Sequence, residues 1–181
     1  MSLSKEQQLY NAASDGELEK VESLCSDPNL NIDWQDQRGF TPLSGACQKG
    51  HLGVVEYLLS LKGIDPNKPA NDGATPFFMS CQEGHKEVVS LLLADPRIGP
   101  NKPMNTQGTP LWFASQNGHL QVVQRLFASE RNIDTKIRST TYNNTTAAQQ
   151  ARAIGVRTTK EDQETEEVFQ RRKTYSPSAP T

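Results

Sequence analysis

Cysteine is scarce in this sequence: Cys25, Cys47 and Cys81 are the only 3, and no Cys-x-x-Cys pair occurs among them. That excludes a disulfide framework and a thiolate zinc site, and an odd set of scattered thiols fits a reducing compartment. No apolar run approaches membrane-spanning length, and Met1 to Tyr10 lacks a signal-peptide core. The expected setting is therefore the cytoplasm, with the nucleus as the alternative. Neither charge sign dominates, since 19 Lys+Arg face 21 Asp+Glu for a formal net charge of -2. Phosphate binding by bulk charge is thereby excluded, because it needs clustered cations. The one basic run, Arg171-Arg172-Lys173, follows Glu161, Asp162, Glu164, Glu166 and Glu167, which reads as a solvated helix face. No phosphate-cradling glycine loop is present either. Hydrophobic residues make up only 34% of the chain, less than a single-core globule of this length usually carries.

What the sequence does have is a repeat. Thr41-Pro-Leu-Ser-Gly-Ala-Cys-Gln-Lys-Gly-His51, Thr75-Pro-Phe-Phe-Met-Ser-Cys-Gln-Glu-Gly-His85 and Thr109-Pro-Leu-Trp-Phe-Ala-Ser-Gln-Asn-Gly-His119 align without gaps at a spacing of 34 residues. Val55, Val89 and Val123 keep the register, as do Leu58, Leu92 and Leu126. One step back, Leu9, Ala12, Ala13, Gly16, Leu18, Val21 and Leu24 form a preceding unit without the Thr-Pro start. A period of this length is the mark of a stacked architecture.

Each unit reads as a helix pair. Thr41 suits an N-cap and Pro42 the first helical position. Leu43, Ala46 and Cys47 give a narrow face of mostly small residues, and Gly50 ends the helix in the left-handed region. Leu52, Val55, Leu58 and Leu59 form the buried stripe of a second helix. Ile64-Asp-Pro-Asn67 and Asn71-Asp-Gly73 form a turn-rich, hairpin-like connection. Helices this short are marginal alone, so stacking must supply the core.

The pattern Gly-x-Thr-Pro-Leu-x-x-Ala-x-x-Gly-His, then Val-Val-x-x-Leu-Leu and an Asp-x-Asn hairpin, resembles the ankyrin repeat. The resemblance runs from about Gln7 to Gly155. It implies an all-α solenoid of stacked helix-turn-helix units joined by β-hairpin-like loops, without intrinsic catalysis. The expected organisation is an N-terminal capping repeat over 1–38, repeats over 39–72, 73–106 and 107–140, a degenerate cap over 141–172 and a disordered tail over 173–181. The cap carries Thr146, Ala151 and Gly155 in its first part and a charged stretch, Thr159 to Arg172, in its second. The family's usual His after Thr-Pro-Leu is replaced by Ser44, Phe78 and Trp112, so its contact with the Thr is absent or altered. Gly108 directly precedes Thr109, whereas Gly39 and Gly73 stand two before theirs, so the third hairpin tip is expected to differ.

The implied function is a non-catalytic scaffold that binds another protein through its hairpin tips and the concave face of the first helices. The alternatives are a recruiting or regulatory adaptor of a larger complex and a nucleic-acid-associated nuclear factor. Candidate contacts at the tips are Gln37, Arg38, Phe40, Asn71, Asp72, Asn105 and Thr106. On the first helices they are Gln48, Lys49, Gln82, Glu83, Trp112, Gln116 and Asn117. Phe78, Met79 and Phe113 are expected to pack between first helices, because large apolar residues are mostly core. Trp112 stays open between core and contact. As a contact, its replacement by Ala weakens binding more than it lowers the melting temperature. Trp34 is expected to fold over the N-terminal cap.

His51, His85 and His119 recur at the repeat interval after the terminating glycine. They therefore fit a structural role at a helix start, since a catalytic site needs unlike residues converging on one point. Cys47 and Cys81 match Ala13 and Ser115 and read as small buried residues. Asn67 and Asn101 occupy the asparagine that this family sometimes exposes to hydroxylases; hydrogen bonding across the hairpin is the favoured role. No metal, cofactor, small-molecule substrate, nucleic acid or membrane is expected, and the chain reads as a monomer.

Overall fold

The computed structural model describes residues 3–136, 147–153 and 155. These form α1 Lys5–Asp15, α2 Leu18–Cys25, α3 Pro42–Lys49, α4 Leu52–Ser60, α5 Pro76–Glu83, α6 Lys86–Ala94, α7 Pro110–Gln116, α8 Leu120–Phe127 and α9 Ala147–Ala153. No strand occurs among the described residues. The charged stretch 159–172, with its basic run, and the tail 173–181 lie outside them.

Local chemistry sets the helix ends. The Thr41, Thr75 and Thr109 hydroxyls accept from the N–H groups of Ser44, Phe78 and Trp112 at 3.1, 3.1 and 3.2 Å. Each thereby satisfies one of the donors that a first turn leaves unpaired. Proline opens all three helices. In the first complete unit Ser44 also returns the bond, its Oγ accepting from the Thr41 N–H at 2.8 Å. That closes a capping box, so the altered residue after Thr-Pro-Leu makes its own link to the cap.

Packing runs in two rows. α1, α3, α5, α7 and α9 stack in sequence as inner helices, and α2, α4, α6 and α8 stack as outer ones. Ala12, Ala13, Ala46, Cys47, Cys81, Ala114 and Ser115 are fully buried where inner helices meet. Their small side chains let the helices approach closely. The larger residues Leu43, Phe77, Leu111, Val55, Leu58, Val89, Leu92, Val123 and Leu126 fill the space between the rows. The core is thus one continuous band that no unit could form alone.

Hydrogen bonds tie each unit to the one before. His51, His85 and His119 each direct Nε2 at a carbonyl one unit back, those of Ser14, Gln48 and Gln82, at 2.9, 2.9 and 2.7 Å. A carbonyl only accepts, so Nε2 carries the proton. None of the three rings caps its own helix. The histidines do stand at helix starts, but their side chains join neighbouring units. A second tie uses arginine: Arg97 donates to the Leu59 carbonyl at 2.9 Å, and Arg131 to that of Leu93 at 3.2 Å.

Candidate partner-binding surface

Three hairpins project between successive helix pairs. Each closes through a backbone bond, Asp36 to Phe40 at 3.0 Å, Ala70 to Ala74 at 2.9 Å and Met104 to Gly108 at 3.1 Å. The tips are zipped together. The Asn71 amide donates to the Gln37 carbonyl at 2.9 Å, and the Asn105 amide to the Asn71 carbonyl at 3.0 Å. Gly39 and Gly73 lie under these asparagines, where a Cβ would sit 2.6 and 2.7 Å from the Asn71 and Asn105 Oδ1 atoms. Gln107 holds the equivalent place in the third hairpin with φ 66, the one non-glycine residue with positive φ among the described residues. The third tip therefore keeps the backbone shape of the others but carries a side chain in a strained region. Its displaced glycine, Gly108, lies against the Phe113 ring, which would collide with any Cβ there.

The aromatic residues do not line this surface as the sequence suggests. Trp112 is only 2% exposed and Phe40 only 8%, so both leave the set of contact residues. Trp112 sits in the first turn of α7 and joins the main core. Phe40 joins Ala70, Ala74, Phe78 and Met79 in a second apolar cluster between hairpins and inner helices. The physical reason differs between the two: Phe40 is covered where hairpin residues meet inner helices, and Trp112 where the helices of the main core pack together. Phe78 and Met79 pack as expected. Phe113 packs edge-on against Phe78 and Trp112 at 4.9 and 5.0 Å yet stays half-exposed. Tyr10 and Met104, which sequence reasoning missed, line the rim of the same cluster. Tyr10 aligns with Ser44, Phe78 and Trp112, so its register was the signal. Met104 gave none, because its counterparts are Asp36 and Ala70.

The polar candidates fall into distinct places. Gln37, Arg38, Asn71, Asp72 and Asn105 are exposed at the tips and Thr106 is half-buried. Lys49, Glu83, Gln116 and Asn117 are exposed on the inner helices, with Gln48 and Gln82 half-buried. Several are already engaged: the Asn117 amide donates to the Gln82 carbonyl at 2.9 Å, and the tip asparagines hold the zipper. Arg38 lies 4.4 Å above the Phe40 ring and 3.5 Å from the Asp36 carboxylate. Trp34 meets Tyr10 edge-on at 6.4 Å and stays half-buried over the first unit. Beside it Gln7, Gln35, Asp36, Gln37 and Arg38 line a shallow cleft of about 520 Å³. Charge is ordered along the stack. Arg38 and Lys49 lie at the first tip and on α3, Asp72 and Glu83 at the second tip and on α5, and Thr106, Gln116 and Asn117 at the third tip and the end of α7.

Asn67 and Asn101 bond as structural residues, but to the loop of the next unit instead of across their own hairpin. The Asn67 amide donates to the Arg97 carbonyl at 2.7 Å and accepts from the Gly99 N–H at 2.8 Å. Asn101 does the same with Asn132 and Asp134 at 2.6 and 2.8 Å. All three thiols are free, and burial pushes those of Cys47 and Cys81 well above their ordinary range. Among the described residues no group of three or more His, Cys, Asp or Glu side chains could hold a metal ion. No described helix is long and apolar enough to cross a membrane.

The model of the family described as ankyrin repeats (3 copies) matches residues 4–70 and 61–139. The chain belongs to the ankyrin-repeat family. No curated protein matches it at a significant level. Ankyrin repeats generally mediate protein–protein interaction, and the family is typically non-catalytic. In this ankyrin-repeat protein the exposed residues at the tips and on the inner helices are polar, and Tyr10, Met104 and Phe113 are partly buried beside them.

Proposed function

We propose that this ankyrin-repeat protein is a non-catalytic scaffold that grips a partner protein along its hairpin tips and the exposed face of its inner helices. The observation that carries the reading is the charge order on that face. Two cations, Arg38 and Lys49, adjoin two anions, Asp72 and Glu83, and an amide-rich third unit beside half-exposed Phe113 follows. A complementary partner presents an acidic group, then a basic group, then an apolar one. Ion pairs of this kind set specificity and encounter rate more than raw affinity. Gln37, Gln48, Gln82, Gln116 and Asn117 add hydrogen-bonding capacity between the charges. The reading requires no cofactor or metal.

Peptides selected on the wild-type chain from a displayed random library test it. Lys49→Glu and Glu83→Lys are each expected to weaken the selected binders about 3- to 30-fold, the range for charge pairs at an interface rim or partly inside it. Neither exchange is expected to move the melting temperature by more than about 2 °C, because both side chains are exposed. Binders indifferent to both exchanges would place the interface elsewhere.

A further inference from the structure

Asp33 occupies the hairpin position that Asn67 and Asn101 hold in the next two units, and it completes only half of their bonding. Each asparagine accepts a backbone N–H with its oxygen and donates its amide to a carbonyl of the following loop. Asp33 makes the accepting half: its Oδ2 takes the Asp65 N–H at 2.9 Å, at the sequence separation of 32 residues that Asn67 uses toward Gly99. Its Oδ1 is shut off from solvent and has no hydrogen-bond partner. By that register Oδ1 corresponds to the Asn67 amide nitrogen, and the carbonyl that corresponds to that of Arg97 is that of Gly63. Asp33 and Gly63 line one cleft of about 320 Å³. A carboxylate has no proton to donate there, whereas a carboxylic acid does.

We propose that Asp33 is a proton-operated catch between the first two units. With its carboxyl protonated, Oδ1–H donates to the Gly63 carbonyl and closes the same two-bond tie that Asn67 and Asn101 make permanently. With the carboxyl ionised, the catch is half open.

The surroundings act in both directions. Burial raises the Asp33 carboxyl above its usual range and the Asp65 carboxylate adds to this; the Asp65 N–H and the Lys68 ammonium oppose it. Lys68 reaches over Asp33 to donate to its backbone carbonyl at 2.8 Å. The other titratable groups around the cleft are Cys25, Lys62 and Asp27, and Asp27 is already paired with Lys5. A raised folded-state value means that the folded chain holds the proton more tightly than the unfolded one. The contribution of Asp33 to stability is therefore fully present below the ordinary carboxylate range and is lost as pH rises through the folded-state value.

Melting curves of wild type and Asp33→Asn, taken from pH 7.5 down to pH 3.5, test the catch. The variant installs the permanent donor and is expected to melt about 2–6 °C higher at pH 7.5. That gap is expected to shrink as pH falls, because the wild-type carboxyl gains its proton while every other carboxyl is common to both proteins. A gap that is zero or negative at pH 7.5, or constant across the range, overturns the proposal. A carboxyl-carbon NMR titration of the wild-type chain decides independently of how the variant folds. An Asp33 midpoint above the ordinary value of 3.8 supports the catch, and one at or below it removes it.

Discussion

Replacing Gly50 by Ala separates backbone strain from contact between units, because Gly118 offers the same strain without the contact. Gly50 has φ 78 and Gly118 φ 76, so alanine pays about 1–2 kcal/mol at either place for the left-handed conformation. Around Gly118 nothing among the described residues lies within 4 Å of the added Cβ. At Gly50 the Cβ would sit 2.5 Å from Nδ1 and 2.8 Å from Cε1 of His85, whose Nε2 bonds the Gln48 carbonyl at 2.9 Å. The ring must swing away, and that bond goes with it, a further loss of about 1–2 kcal/mol. Gly50→Ala is therefore expected to destabilise the chain by about 2–4 kcal/mol and Gly118→Ala by about 1–2 kcal/mol. Urea unfolding followed by circular dichroism measures both. His85→Ala relieves the collision, so the double variant Gly50→Ala/His85→Ala should lose about 1–2 kcal/mol less than the sum of the single variants. Equal losses at the two glycines, or strict additivity in the double variant, would refute the claim that these histidines clamp successive units.

Two further outcomes follow from burial. Trp112→Ala is expected to lower stability by about 3–5 kcal/mol, the range for removing a large buried aromatic, which corresponds to a fall of roughly 6–20 °C in melting temperature. A calorimetric change below about 2 °C would return Trp112 to the surface. At neutral pH an alkylating reagent is expected to modify half-buried Cys25 first, because Cys47 and Cys81 are fully buried. Intact mass should show one added group before unfolding and the other two only with denaturant; early modification at Cys47 or Cys81 would contradict the packing of α3 against α5.

The sequence by itself determined the repeat, the helix pair within it and the residues that begin and end each helix. Thr41-Pro42 and Gly50 act on backbone groups only a few residues away, so their effect is legible wherever they occur. Small residues such as Ala46 and Cys47 announced close helix approach for the same reason. The fate of Trp112 and Phe40 was decided only in the assembled stack, because burial depends on what lies on top of a side chain. Likewise the partners of His85, Asn71 and Asn67 lie 30 to 37 residues away, on elements that meet only in the stack. A period in the sequence shows that neighbouring units are alike. Only their stacking shows which atoms of one unit come to rest against the next.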